Sequence, residues 1–160
     1  MSILSDQDII DYIALGKLSI EPFEERCLTP NGYDLRIGEI LVEGGEKITE
    51  GTVRIPPGKW FAVGTLEYVK LGAELTAQLW LRTTWARRGV LSSFGKVDAG
   101  FQGALTLSAV NASSKEVSMS IGERFAQIVL ETLLTVPKAL YTERSGNYQG
   151  RKGIYLGREP

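Results

Sequence analysis

The chain predicts an all-β domain, a sandwich, barrel or jelly roll, with one short helix in front of it. Three observations carry that expectation. Alternating apolar and polar residues recur along most of the length, as in Leu75-Thr76-Ala77-Gln78-Leu79-Trp80-Leu81, and a period of two marks a half-buried strand. Turn residues interrupt these runs at intervals of roughly eight to twelve positions, the spacing of strands in such folds. Only one stretch, near the start, has a helical period. At 160 residues the chain has the length of one domain, and it buries enough to need no disulfide staples.

Residues 1–16 form the predicted helix. Ser5 and Asp8 match a capping box, Ile9, Ile10 and Ile13 make an apolar stripe, and Gly16 ends it. Residues 17–23 read as extended and 24–27 as a polar connection. The Pro30-Asn31-Gly32 turn then launches a strand in which Tyr33, Leu35 and Ile37 alternate with Asp34 and Arg36. Asp34 and Arg36 thus share a face, and a half-exposed strand carrying an ion pair explains them without any ligand. Further short strands fill 39–71, punctuated at Gly44-Gly45, Gly51, Pro56-Pro57-Gly58 and Gly64, with Trp60, Phe61 and Val63 assigned to the core. Later strands cover 104–110, 117–121 and 125–130, with a turn over 111–115. Gln127 interrupts the last apolar run. An amide left without partners there would cost about 1–3 kcal/mol, so either backbone or a ligand satisfies it.

Composition excludes several chemistries. The net charge is −1, from 18 basic and 19 acidic residues, so no global field calls for nucleic acid and any cationic site is local. With no histidine and one cysteine, Cys27, zinc sites of the His/Cys type cannot be assembled, nor can Ser-His or Cys-His nucleophilic pairs. Acid-base work falls to carboxylates, lysines or tyrosines. A metal would be a hard ion held by oxygens, Mg²⁺ above all, through phosphates and water. No internal disulfide can form, and no leader or long apolar span is read, so the cytoplasm is expected and a membrane is not.

The chemistry concentrates in 82–101, RTTWARRGVLSSFGKVDAGF. A strand ends in Arg82-Thr83-Thr84, one helical turn follows through Arg87 and Arg88, and Gly89 stops it. Two hydroxyls and three guanidinium forks suit an anion, phosphate in particular. A hydroxyl capping a surface turn, with solvated arginines, is the plainer account of the same residues. Asp98 then stands in a Val-Asp-Ala-Gly turn with Phe101 three positions on. A basic cradle followed by a lone carboxylate can bind a phosphorylated ligand and activate a water against it. A structural turn aspartate is the alternative. From Tyr141 the character changes: 145–153 combine three glycines, two cations, an amide and a tyrosine, which fits either a frayed tail or an arm that orders over a bound polyphosphate.

Five stretches in order, GYDLRIG, RTTWARRG, VDAGFQG, GERFAQIVLE and GNYQGRKG, resemble the motifs of the superfamily shared by trimeric dUTPases and dCTP deaminases. The ILSDQDI opening and the tail are most similar to the dCTP deaminase branch and its archaeal members, some of which are dUTPases. The resemblance implies a distorted β jelly roll over 1–140 and an arm over 141–160 that closes on the site. It also implies a homotrimer with sites shared between chains, and a deoxypyrimidine triphosphate bound with Mg²⁺. In that reading Arg82, Thr83, Thr84 and Arg87 hold phosphates. Asp98 deprotonates the attacking water or bonds the sugar 3′-hydroxyl, and Phe101 packs on the deoxyribose. Asp34 supports the Mg²⁺ hydration shell or the site arginines. Gln127, Tyr141, Tyr148, Gln149, Arg151 and Lys152 reach the phosphates.

One position separates the branches. Deaminases of this superfamily carry a glutamate on the strand after the Asp98-type turn, as general acid/base at cytosine C4, and this chain has Ser108 there. A serine hydroxyl cannot shuttle that proton at neutral pH. Ser108 therefore leaves a substrate-site position without deaminase chemistry, whereas Asp98 keeps what hydrolysis needs. The resemblance implies a dUTP diphosphatase, with a dCTP deaminase, a bifunctional dUMP-forming enzyme or a non-catalytic nucleotide-binding trimer as alternatives. Two motifs depart from the family pattern: RSSLAR reads RTTWAR, and in the arm Asn147 and Arg151 replace a lysine and a glutamine.

Overall fold

A computed structural model describes residues 2–157; Met1 and the arm's last three positions lie outside the described residues. Helix α1 (Asp6–Ala14) starts where its capping box demands, with the Ser5 hydroxyl accepting from the Asp8 N–H and the Asp8 carboxylate accepting from the Ser5 N–H. It covers the barrel with Ile9, fully buried. Strand β1 (Leu18–Glu21), a 3₁₀ turn (Glu25–Cys27) and β2 (Leu28–Thr29) lead into β3 (Gly32–Val42). Then come β4 (Lys47–Ile48), β5 (Thr52–Ile55), β6 (Trp60–Leu71) and β7 (Leu75–Leu81). The second half adds the one-turn helix α2 (Thr83–Ala86), β8 (Val90–Ser92), β9 (Lys96–Val97), β10 (Gln102–Asn111), β11 (Val117–Ser120) and β12 (Arg124–Thr132), and the one-turn α3 (Tyr141–Arg144) opens the arm.

One curled antiparallel sheet runs in the order β8-β10-β6-β3-β12-β7-β9, with β1 added to β6 and β2 and β4 to β3, while β5 and β11 pair separately. This is the expected distorted jelly roll. The core is continuous. Tyr33, Leu35, Ile37, Phe61, Leu75, Ile128 and Leu130 are all sealed from solvent, and Phe125 is ringed by Phe61, Trp85 and Phe94 at about 6 Å.

Three expectations need correction. Gly64 is no turn; it lies inside β6, opposite Glu39 and Thr106. Trp60 begins β6 and lines a cavity, while Phe61 and Val63 belong to the core as expected. Asp34 and Arg36 do not pair with each other, and their strand is buried rather than half-exposed, because β6 and β12 flank it. Arg36 instead donates from Nε to Glu67 Oε1 at 2.6 Å and from its backbone N–H to Glu67 Oε2 at 2.8 Å. Its other nitrogens reach Glu24 and the Pro22 carbonyl. Glu67 is wholly buried, which pushes its carboxyl above the usual carboxylate value against the pull of Arg36.

Candidate active site

The end of β7 builds a cationic cradle. Arg82 precedes α2 and its backbone N–H donates to the Phe125 carbonyl at 3.1 Å. Trp85 is the anchor of the turn: its ring is buried against Phe125, and its indole N–H donates to the Arg124 carbonyl at 2.9 Å. With Trp85 facing inward, Thr83, Thr84, Arg87 and Arg88 are left on the outside. Arg26, Arg82, Thr84, Arg88 and Arg124 line a depression of about 400 Å³.

Asp34 organises this cradle from beneath. Its Oδ2 lies 2.9 Å from Arg82 Nε and 3.4 Å from Arg124 Nη1. Burial raises its carboxyl above the usual value, and the two guanidiniums work in the opposite direction. The side chains of Arg82 and Arg124 remain 26% and 43% exposed, so one buried carboxylate orients two cations whose outer donors stay free for an anion.

A second cavity, of about 700 Å³, holds Asp98, Phe101, Ser108, Tyr141, Tyr148 and Arg151. Asp98 stands exposed on the turn after β9, and Phe101 closes that turn by donating its N–H to the Asp98 carbonyl at 3.1 Å. The Phe101 ring is buried and meets Tyr141 edge-on, 5.4 Å between centroids. Asp98 is the only acidic residue among those that line this cavity. Ser108 is exposed on β10, opposite Ala62 of β6, with the Trp60 side chain on the same face two residues back.

The expected site residues thus divide. Asp98, Phe101, Ser108, Tyr141, Tyr148 and Arg151 share one cavity; Arg82 and Thr84 share another, with Asp34 below. The two have no lining residue in common. Thr83 is exposed on α2, and Arg87 lines a separate shallow groove with Arg88 and Lys115. Gln127 enters neither cavity: its amide donates to Thr29 Oγ1 at 2.6 Å, so a protein hydroxyl satisfies it. Gln149 clasps the arm, accepting from the Gln102 N–H and donating to the Gly100 carbonyl, and Lys152 is exposed outside both. Nothing local in the sequence marks Arg26 or Trp60 as site residues, and Arg124 carries only the hint of its place next to Phe125 in the fourth motif.

Among the described residues no group of three or more acidic, histidine or cysteine side chains is arranged to hold a metal, and Asp34 is committed to arginines. The donors present fit an ion that is carried by substrate phosphates and water, not by a protein cage. No helix among the described residues is long and apolar enough to cross a membrane.

A curled jelly roll of this kind is the fold of the dUTPase type. The crystal structure of 2′-deoxycytidine 5′-triphosphate deaminase from Agrobacterium tumefaciens superposes on 82% of this chain with a TM-score of 0.72 at 19% identity, a likeness of fold; the chain spans about half of that structure, 48%. Residues 3–133 match the dCTP deaminase-like family, and the chain belongs to it. It is 44% identical over 143 residues to the dCTP deaminase of Pyrococcus horikoshii, covering 88% of this chain and 90% of that one. It is 40% identical over 160 residues, 98% and 99% of the two chains, to the probable deoxyuridine 5′-triphosphate nucleotidohydrolase of Sulfolobus islandicus rod-shaped virus 1.

Proposed function

We propose that this member of the family is a dUTP diphosphatase, which converts dUTP and water to dUMP and pyrophosphate. The observation that carries the reading is the composition of the Asp98 cavity: it is lined by one carboxylate and by the exposed Ser108, the position to which the motif resemblance assigns the deaminase glutamate. One carboxylate suffices for hydrolysis. Asp98 accepts a proton as water attacks the α-phosphorus in line; the new P–O bond forms, the bond to the bridging oxygen breaks, and pyrophosphate leaves. Arg82, oriented by Asp34, neutralises charge that grows on the phosphoryl oxygens. Bound with the triphosphate, Mg²⁺ would supply further charge neutralisation. Phe101 offers the deoxyribose an apolar wall. The separation of cradle and carboxylate on one chain suits a homotrimer in which adjacent chains complete each site.

Similarity to the Pyrococcus horikoshii enzyme favours a second reading, dCTP deamination. That reaction asks for a proton shuttle at cytosine C4, and Ser108 is a poor one. The test is purified protein with Mg²⁺ and dUTP, dCTP or dTTP in turn, with pyrophosphate and the nucleotide product both followed. Pyrophosphate and dUMP from dUTP, with dCTP left intact, is the expected result. Formation of dUTP or dUMP from dCTP overturns it.

A further inference from the structure

A row of three residues crosses the sheet and meets the Asp98 cavity at one end, where Thr106 lines it. Glu39 of β3 lies opposite Gly64 of β6, and Gly64 lies opposite Thr106 of β10, so all three share one face. The strand registers shift at both ends of the row, between Ile37 and Glu39 and between Ala104 and Thr106. Such bulges re-aim side chains. With no side chain at the middle position, the row is a notch walled by a carboxylate and a hydroxyl.

The arm lies in it. The Ile154 N–H donates to Glu39 Oε1, the Tyr155 N–H donates to Thr106 Oγ1 at 2.9 Å, and the Ile154 side chain is buried. A Cβ on Gly64 would stand 3.0 Å from the Ile154 nitrogen and 2.8 Å from Glu39 Cγ, so the backbones approach this closely only because position 64 is glycine. Gly153 has φ +69°, and a Cβ there would run into the Glu39 carboxylate. Just upstream, the Gly150 N–H donates to the Gln102 carbonyl and the Arg151 carbonyl accepts from the Ala104 N–H, both at 2.8 Å. Tyr155 then links this anchor to the cavity. Its ring meets Tyr148 edge-on at 5.9 Å and takes the Arg151 guanidinium on its face at 4.2 Å, and all three residues line the Asp98 cavity.

We infer that Glu39, Gly64 and Thr106 are positioning residues: they form a docking notch for residues 153–155 of the same chain, and through Tyr155 the filled notch holds Tyr148 and Arg151 over Asp98. Only the kinetic consequence rests on the dUTP diphosphatase reading; the docking does not. The anchor lies beyond the fifth motif, where Ile154 is the one buried residue of the tail among the described residues.

The test uses the full chain without nucleotide. Trypsin must free the carbonyl of Arg151 from Ala104 before it can cut after Arg151, so nicking after Arg151 and Lys152, read by mass spectrometry, reports the undocked population. Gly64→Val fills the notch, and Ile154→Ser empties it from the arm's side without touching the sheet. Both are expected to speed nicking about tenfold or more, the order that loss of a charge-assisted hydrogen bond and its buried partner produces. Glu39→Gln keeps an acceptor oxygen and should rescue most of the protection that Glu39→Ala loses. On dUTP, kcat is expected to fall further than KM rises. Wild-type nicking in both Gly64→Val and Ile154→Ser overturns the notch, and faster nicking with unchanged kcat overturns its positioning role. If the wild type does not hydrolyse dUTP, the function reading fails while nicking still decides the docking.

Discussion

Asp34 and Arg36 stand two residues apart on β3, and each anchors two ion pairs built in opposite senses. Around Arg36 one cation holds two carboxylates, Glu67 and Glu24; around Asp34 one carboxylate holds two guanidiniums, Arg82 and Arg124. Exposure separates them. The Glu67 side chain is 0% exposed, so the first cluster is centred on a sealed pair and reaches water only through Glu24, which also pairs with Arg26, whereas the Arg124 side chain is 43% exposed and the second turns its charges outward. The same ion-pair chemistry serves to hold the sheet in one place and to present donors in the other. What decides is whether the partners reach water.

The largest effect should come from breaking the closed cluster. Glu67→Ala leaves the buried Arg36 Nε and backbone N–H without their acceptors, Glu24 and the Pro22 carbonyl holding only the outer nitrogens, and about 3–5 kcal/mol of stability should be lost; thermal or urea unfolding measures it, and an unchanged midpoint would refute the contrast. The open cluster should respond in activity instead. Arg82→Ala should lower kcat/KM for dUTP about a hundredfold with the unfolding midpoint nearly kept, since Arg124 stays beside Asp34 and the cradle is wet. A smaller change is expected of Asp34→Asn: the freed arginines simply hydrate, so stability should move by no more than about 1 kcal/mol, while KM rises several-fold as the cradle loses its orientation. Equal losses of stability in Asp34→Asn and Glu67→Ala would erase the distinction.

The smallest effect concerns alkali. Tyr33 is fully buried on β3 and its hydroxyl accepts from the Glu24 N–H at 3.0 Å. Burial pushes the phenol up from 10.0 to about 12. A folded value above the unfolded one means that the native state holds this proton more tightly. The contribution is complete below pH 10 and drains away as pH climbs toward 12. Tyr33→Phe should therefore flatten the alkaline limb of a stability profile; an unchanged limb would assign it to other groups.

These clusters also mark how far the chain could be read before the structure. The α1 cap, the alternation of β7 and the turn around Asp98 are local patterns, and each lies where its residues imply. The partners of β3 are not local. Glu67 is 31 positions from Arg36, and Arg124 is 90 from Asp34; which of them meet depends on strand register, which a period of two leaves open. Gly64 falls under the same rule. A glycine in sequence suggests a turn, and only the register shows that it sits beneath a crossing chain. Trp60 looks like core by type, yet it stands on the face of β6 that turns to Ser108.

That the cradle and the Asp98 cavity share no lining residue has a genetic consequence. In the proposed trimer a site draws its two halves from different chains. Two alleles, one Asp98→Asn and the other Arg82→Ala, would each be strongly impaired alone. Expressed together they would form mixed assemblies in which some sites meet two intact halves, so the alleles would partly complement one another.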